Sequence, residues 1–153
     1  MKRAIAIIGI VTCAMVSVFA QPAARYETPA GQRVRFAPVD IYMDSGSRAL
    51  AAYQFELKAL SGDVQIVGVE GGAHPAFRQP PYYDPAALAN NRIIIAAFNT
   101  GSDLLTGHTR VATVHLRIVG DAEPEYEVKL MAAADAEGDK IPAEITYAKG
   151  EQK

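Results

Sequence analysis

The chain has 153 residues, 15 of them basic and 17 acidic, and half are hydrophobic. This near-neutral balance, with no basic cluster, lacks the electrostatic footprint of a nucleic-acid binder. A single cysteine, Cys13, excludes a disulfide framework, and the length suits one domain with its own core.

Residues 1–20 read as a secretory signal peptide. Lys2 and Arg3 form a positive n-region, an apolar stretch runs from Ala4 to Phe19, and Val18-Phe19-Ala20 offers a cleavage site. The alternatives are a retained anchor, for which the run is at the short limit, and lipid attachment at Cys13, which the preceding Thr12 argues against. Cleavage after Ala20 leaves 133 of the 153 residues. Losing Lys2 and Arg3 takes the basic count from 15 to 13 against 17 acids, a net charge of −4. The mature chain then has no thiol, so its stability must come from packing. The expected location is periplasmic or extracellular, with no stable membrane span.

Residues 21–24 read as a tether, 25–149 as the folded domain and 150–153 as a polar tail. Arg25–Thr28 is a candidate first strand, and Pro29–Gln32 a turn. Arg33–Met43 alternates, with Val34 and Phe36 on one face, then Val39, Ile41 and Met43. The parity flips near Ala37-Pro38, which predicts a bulge or an edge position there. Tyr53–Ala59 sets Tyr53, Phe55 and Leu57 against Gln54, Glu56 and Lys58, one face for the core and one for water. Val64–Glu70 follows a Ser61-Gly62-Asp63 turn.

Gly71–Asn91 is the longest irregular stretch, rich in glycine and proline, and such loops are often functional. Phe77-Arg78-Gln79 reads as a short edge strand, and Asp84-Pro85 as the cap of one helical turn reaching Ala89. Arg92–Phe98 is the most informative segment, because Ile93–Phe98 is apolar at both parities. A strand needs only one apolar face for one core. Its other face is therefore either covered within the domain or left for something else.

Arg110–Val119 places Ala112, Val114, Leu116 and Ile118 inward. Glu125–Ala134 places Tyr126, Val128, Leu130 and Ala132 inward, with Glu127 and Lys129 outward. Asp135–Lys140 is a turn, and Ile141–Ala148 a last strand. Eight or nine strands separated by turns, with no long helix, give an all-β, antiparallel sandwich.

Catalytic patterns are weak. His74, His108 and His115 have no ligand-like spacing. Asp44-Ser45-Gly46-Ser47 lacks the strand–Gly-x-Ser-x-Gly–helix context of a nucleophile elbow. Glu56, Glu70 and Glu127 sit as ordinary wet-face or strand-end residues. No enzyme activity and no cofactor are therefore expected. Asp135, Glu137 and Asp139, with Gly138, could ligate calcium, although no glutamate completes the EF-hand spacing; a solvated turn is the competing reading. Tyr82-Tyr83, with Phe77 and Arg78 nearby, is an aromatic cluster that could stack on a polysaccharide, or fold back on the sheet.

Four segments in order, Gly31–Ile41, Ala52–Gly71, Arg92–Leu116 and Ala134–Pro142, resemble a cohesin-type domain within the carbohydrate-binding-module-like sandwiches. The resemblance implies a flattened jelly roll of about nine strands and binding of a calcium-loaded dockerin in extracellular polysaccharide degradation. The chain departs from that pattern in carrying one module and no duplicated calcium loop of its own. By the same resemblance, the binding sheet would hold strands near Phe77–Gln79, Tyr53–Ala59, Arg92–Phe98 and Glu125–Ala134. Its outward residues Gln54, Glu56, Lys58, Ile94, Glu127 and Lys129 would meet an exported protein partner. The alternative is a glycan bound by Phe77, Arg78, Tyr82 and Tyr83.

Overall fold

A computed structural model of the protein describes residues 31–150. The expected signal peptide, tether and first strand Arg25–Thr28 lie outside the described residues. Eight strands follow: β1 (Val34–Asp44), β2 (Ala52–Ala59), β3 (Asp63–Gly71), β4 (Tyr82–Tyr83), β5 (Arg92–Phe98), β6 (His108–Val119), β7 (Tyr126–Ala134) and β8 (Glu144–Lys149). They form two antiparallel sheets of four, in the orders β3-β6-β1-β8 and β4-β5-β2-β7. Among the described residues no helix is long and apolar enough to cross a membrane.

Period-2 patterning builds one shared core. Val39, Ile41 and Met43 of β1, with Val114, Leu116 and Ile118 of β6, meet Phe55 and Leu57 of β2 and Ile93 and Ile95 of β5. All ten side chains are buried. Each contributes about 1.5–3 kcal/mol by leaving water. The buried Tyr53 hydroxyl ties the sheets together by donating to the Val111 carbonyl at 3.0 Å. Burial pushes this phenol well above its usual pKa, which keeps the donor protonated.

β1 differs from its sequence reading. It is a central strand, and its ladder with β6 runs unbroken through Ala37 and Pro38. No parity flip occurs there, because Val34 and Phe36 simply face outward and are exposed. The register shifts instead between Ile41 and Tyr42. Pro38 is tolerated because β8 ends opposite Val39, so little ladder is lost on that side.

The loop after β3 crosses between the sheets and is pinned at several points. Gly72 N–H donates to the Phe77 carbonyl at 2.7 Å, and the Asn99 side chain to the Ala76 carbonyl at 2.7 Å. Gly71 permits the close approach, since a Cβ there would stand 2.1 Å from the Arg78 carbonyl oxygen. Phe77–Gln79 is not an edge strand. Pro75–Phe77 forms a 3₁₀ turn capped by His74, and Tyr82–Tyr83 supplies the edge strand instead. Asp84 caps the second turn, Pro85–Ala87, by accepting from Ala86 N–H. At the end of the chain, Ile141 is buried in the connection and the last strand begins only at Glu144.

Candidate functional site

The outward face of the β4-β5-β2-β7 sheet is the candidate site, and its residues follow from register. β2 and β5 alternate strictly, so Phe55, Leu57, Ile93 and Ile95 point in while Ala52, Gln54, Glu56, Lys58, Ile94 and Ala96 point out. In β7 the alternation breaks between Leu130 and Ala132, where Met131 is the extra residue opposite the Gln54/Phe55 step. The bulge buries Ala133 and exposes Ala132, the reverse of the sequence expectation.

Cross-strand pairing sorts the face into rows of changing character. Phe98, Ala52 and Ala134 form the first row; Tyr82, Ala96, Gln54 and Ala132 the second. Ile94, Glu56 and Lys129 form the third, and Arg92, Lys58 and Glu127 the fourth. One end of the face is therefore small and apolar, and the other is charged. The alanines floor a shallow, open depression of about 240 Å³ beside Phe98. A second depression, of about 430 Å³, is lined by Tyr82, Asp84, Arg92, Ile94 and Ala96.

Two exposed rings wall the apolar end. Tyr82 is 67% and Phe98 63% accessible, and they stack with centroids 5.7 Å apart and planes within 8°. Each ring restrains the other while keeping large apolar area in water. Met131, also exposed, extends the patch from β7, with Gln54 Nε2 3.7 Å from its sulfur.

The charged end is organised by an ion pair. Arg92 donates to Glu56 Oε2 through Nε at 2.8 Å and again through a terminal nitrogen. The Arg92 hydrogen bonds hold the Glu56 carboxyl below its ordinary pKa, with help from the charges of Arg92, Lys129 and Lys58. Lys58 and Glu127 are opposite neighbours, as are Glu56 and Lys129, so the charges largely compensate one another.

All six residues expected to meet a partner, Gln54, Glu56, Lys58, Ile94, Glu127 and Lys129, share this face. The expected glycan cluster is not brought together. Phe77 is buried and packs on Tyr53 with ring centroids 5.0 Å apart. Tyr83 is half-buried against the core, Arg78 is exposed on the loop, and only Tyr82 joins the face. Phe98, Ala96, Ala132 and Met131 were not singled out from the sequence. Parity alone identifies Phe98 and Ala96, whereas Ala132 and Met131 depend on the bulge.

The Asp135–Asp139 segment is a closed turn. Asp135 Oδ2 accepts from Arg48 at 2.6 Å, and Oδ1 from Asp139 N–H at 2.9 Å. Burial pushes the Asp135 carboxyl up, but these hydrogen bonds outweigh it and leave the pKa lowered. Both oxygens are thus engaged. Among the described residues no group of three or more His, Cys, Asp or Glu side chains is placed to hold a metal. The histidines serve local structure. His74 caps a 3₁₀ turn, His108 stacks on Tyr42 at 5.1 Å, and His115 Nε2 lies 3.0 Å from Glu70.

The chain matches no family model, no curated protein and no solved structure.

Proposed function

We propose that this protein is an exported, non-catalytic binding module that meets a protein partner through the outward face of β4-β5-β2-β7. The reading includes a cohesin-like jelly roll of about nine strands and a role in polysaccharide degradation or envelope assembly. A calcium-loaded dockerin-type module is the first partner to test. The observation that carries it is the gradient across the face, from exposed Tyr82, Phe98 and Met131 to the Glu56, Lys58, Arg92 and Lys129 rim. Apolar anchors beside a charged border suit a protein interface, where a few large side chains carry most of the energy. The test is calorimetric titration of the full chain with a panel of calcium-loaded dockerin modules. Binding by one of them, weakened at least about ten-fold by Phe98→Ala, supports the reading. Binding by none sinks the dockerin assignment.

A second reading is favoured by one observation, the stacked and exposed Tyr82–Phe98 pair above a depression bordered by Asp84 and Arg92. Rings flanked by polar groups also suit a polysaccharide. Retention on an insoluble glycan that disappears in Tyr82→Ala would favour this reading over the first.

A further inference from the structure

Sheet edges hold backbone chemistry that the face does not use. β3 is blocked at Ile66, whose N–H donates to the Asn90 carbonyl and whose carbonyl accepts from Ala89 N–H, both at 2.8 Å. β4 has only two residues. β7, longer than the remaining edge strand β8, has nine residues and among the described residues pairs only with β2 over Tyr126–Leu130.

The direction of its free groups follows from the ladder. Leu60 N–H donates to the Glu125 carbonyl, and bonded pairs alternate along an antiparallel ladder. The backbone groups of Glu127 and Lys129 therefore turn toward β2, and those of Tyr126, Val128 and Leu130 toward the open edge. Ile141 N–H closes that edge only beyond the bulge, at the Ala133 carbonyl. Outside the strand ladders, no other backbone bond among the described residues reaches these three positions.

We propose that β7 pairs antiparallel with β7 of a second copy of this chain, about a two-fold axis through Val128. In that register Glu127 faces Lys129 of the second copy, Lys129 faces its Glu127, and Tyr126 faces its Leu130. Charge complementarity selects the second copy as occupant and also selects the register. Sliding two residues one way sets Lys129 against Lys129, and the other way Glu127 against Glu127. Like charges directly opposite are destabilising. An edge guarded by lysines alone would repel its own copy, whereas Glu-Val-Lys is self-complementary.

About six backbone hydrogen bonds form by the alternation rule. Pro124 on one side and the Met131 bulge on the other keep the paired stretch short, so the dimer is concentration-dependent. Its sheet would be a continuous eight-stranded one, with the two outward faces side by side. The backbone groups of this edge are not used by the face, although Glu127 and Lys129 belong to both.

Sedimentation velocity of the full chain over a concentration series tests it. The expected result is a rise toward twice the monomer mass. Glu127→Lys and Lys129→Glu each weaken association at least about ten-fold, and an equimolar mixture of the two restores a mixed dimer. Val128→Pro abolishes the dimer while leaving the melting profile cooperative, because its N–H does not serve the β2 ladder. Thermal melting of each variant shows that it is folded. A wild-type chain monomeric throughout overturns the proposal, as does a dimer that survives Val128→Pro or a charge-reversal mixture that stays monomeric.

Discussion

The two sheets use the same alternation, yet their outward faces differ in kind. On β3-β6-β1-β8, the central strand presents Thr113, His115 and Arg117, each engaged by a neighbour. Thr113 donates to Asp40 at 2.6 Å and accepts from Arg110, His115 lies beside Glu70, and Arg117 donates to Gln65 at 3.2 Å. On β4-β5-β2-β7, the strands at the middle present Ile94, Ala96, Ala52 and Gln54, and hydrogen bonding is confined mainly to the Glu56–Arg92 end. The first face engages most of the polar side chains of β6 within the domain. The other leaves apolar surface that nothing among the described residues covers. Each face also carries one highly exposed phenylalanine, Phe36 at 64% and Phe98 at 63%. Phe36 stands opposite Arg117 with no aromatic partner in ring contact among the described residues, whereas Phe98 stacks on Tyr82 above an alanine floor.

The strongest way to break this contrast is from beneath. Phe55 is fully buried under the apolar face. Phe55→Ala is expected to cost about 3–5 kcal/mol and to lower the unfolding midpoint in urea, disturbing both faces. Next is the tie between the sheets. Tyr53→Phe leaves the Val111 carbonyl unpaired and is expected to cost about 1–3 kcal/mol, read in the same melts.

The hydrogen-bonded face should then be the more sensitive of the two to small changes. Thr113→Val, which removes the hydroxyl between Asp40 and Arg110, is expected to cost about 1 kcal/mol after solvent screening. Phe98→Ala, an exposed truncation, should change stability by no more than about 0.5 kcal/mol. A Phe98→Ala penalty as large as that of Thr113→Val would mean that Phe98 supports the fold.

The smallest effect is a pH dependence. The Glu56 carboxyl is held below its ordinary pKa in the folded chain. Its stabilisation is therefore complete above the ordinary carboxylate range and is lost as pH falls through the lowered value. Melts from neutral to acidic pH should show a slightly shallower loss for Glu56→Gln than for the wild-type chain. Identical slopes would remove the Arg92 pair from the account.

Much of this contrast is legible in the sequence where alternation is clean. Tyr53–Ala59 and Arg92–Phe98 declare their inward residues, and the double apolar character of Ile93–Phe98 marks the unusual face. The misreadings have local causes. In β1, the apolar pair Val34 and Phe36 at the opposite parity to Val39, Ile41 and Met43 reads as a parity flip, but exposed apolar residues break no rule. In β7, one extra residue at Met131 reversed Ala132 and Ala133, and a bulge has no reliable signature in a run of alanines. Phe77 looked like part of a surface cluster by proximity to Tyr82 and Tyr83. A proline-started 3₁₀ turn instead drives its ring onto Tyr53.

The matched pair Phe98→Ala and Phe36→Ala tests the central claim most directly. Each variant, as the full chain, would be titrated by calorimetry with calcium-loaded dockerin modules beside the wild-type protein. The account predicts wild-type binding that is lost in Phe98→Ala and retained in Phe36→Ala. Loss in Phe36→Ala with retention in Phe98→Ala would place the interface on the opposite sheet and contradict it.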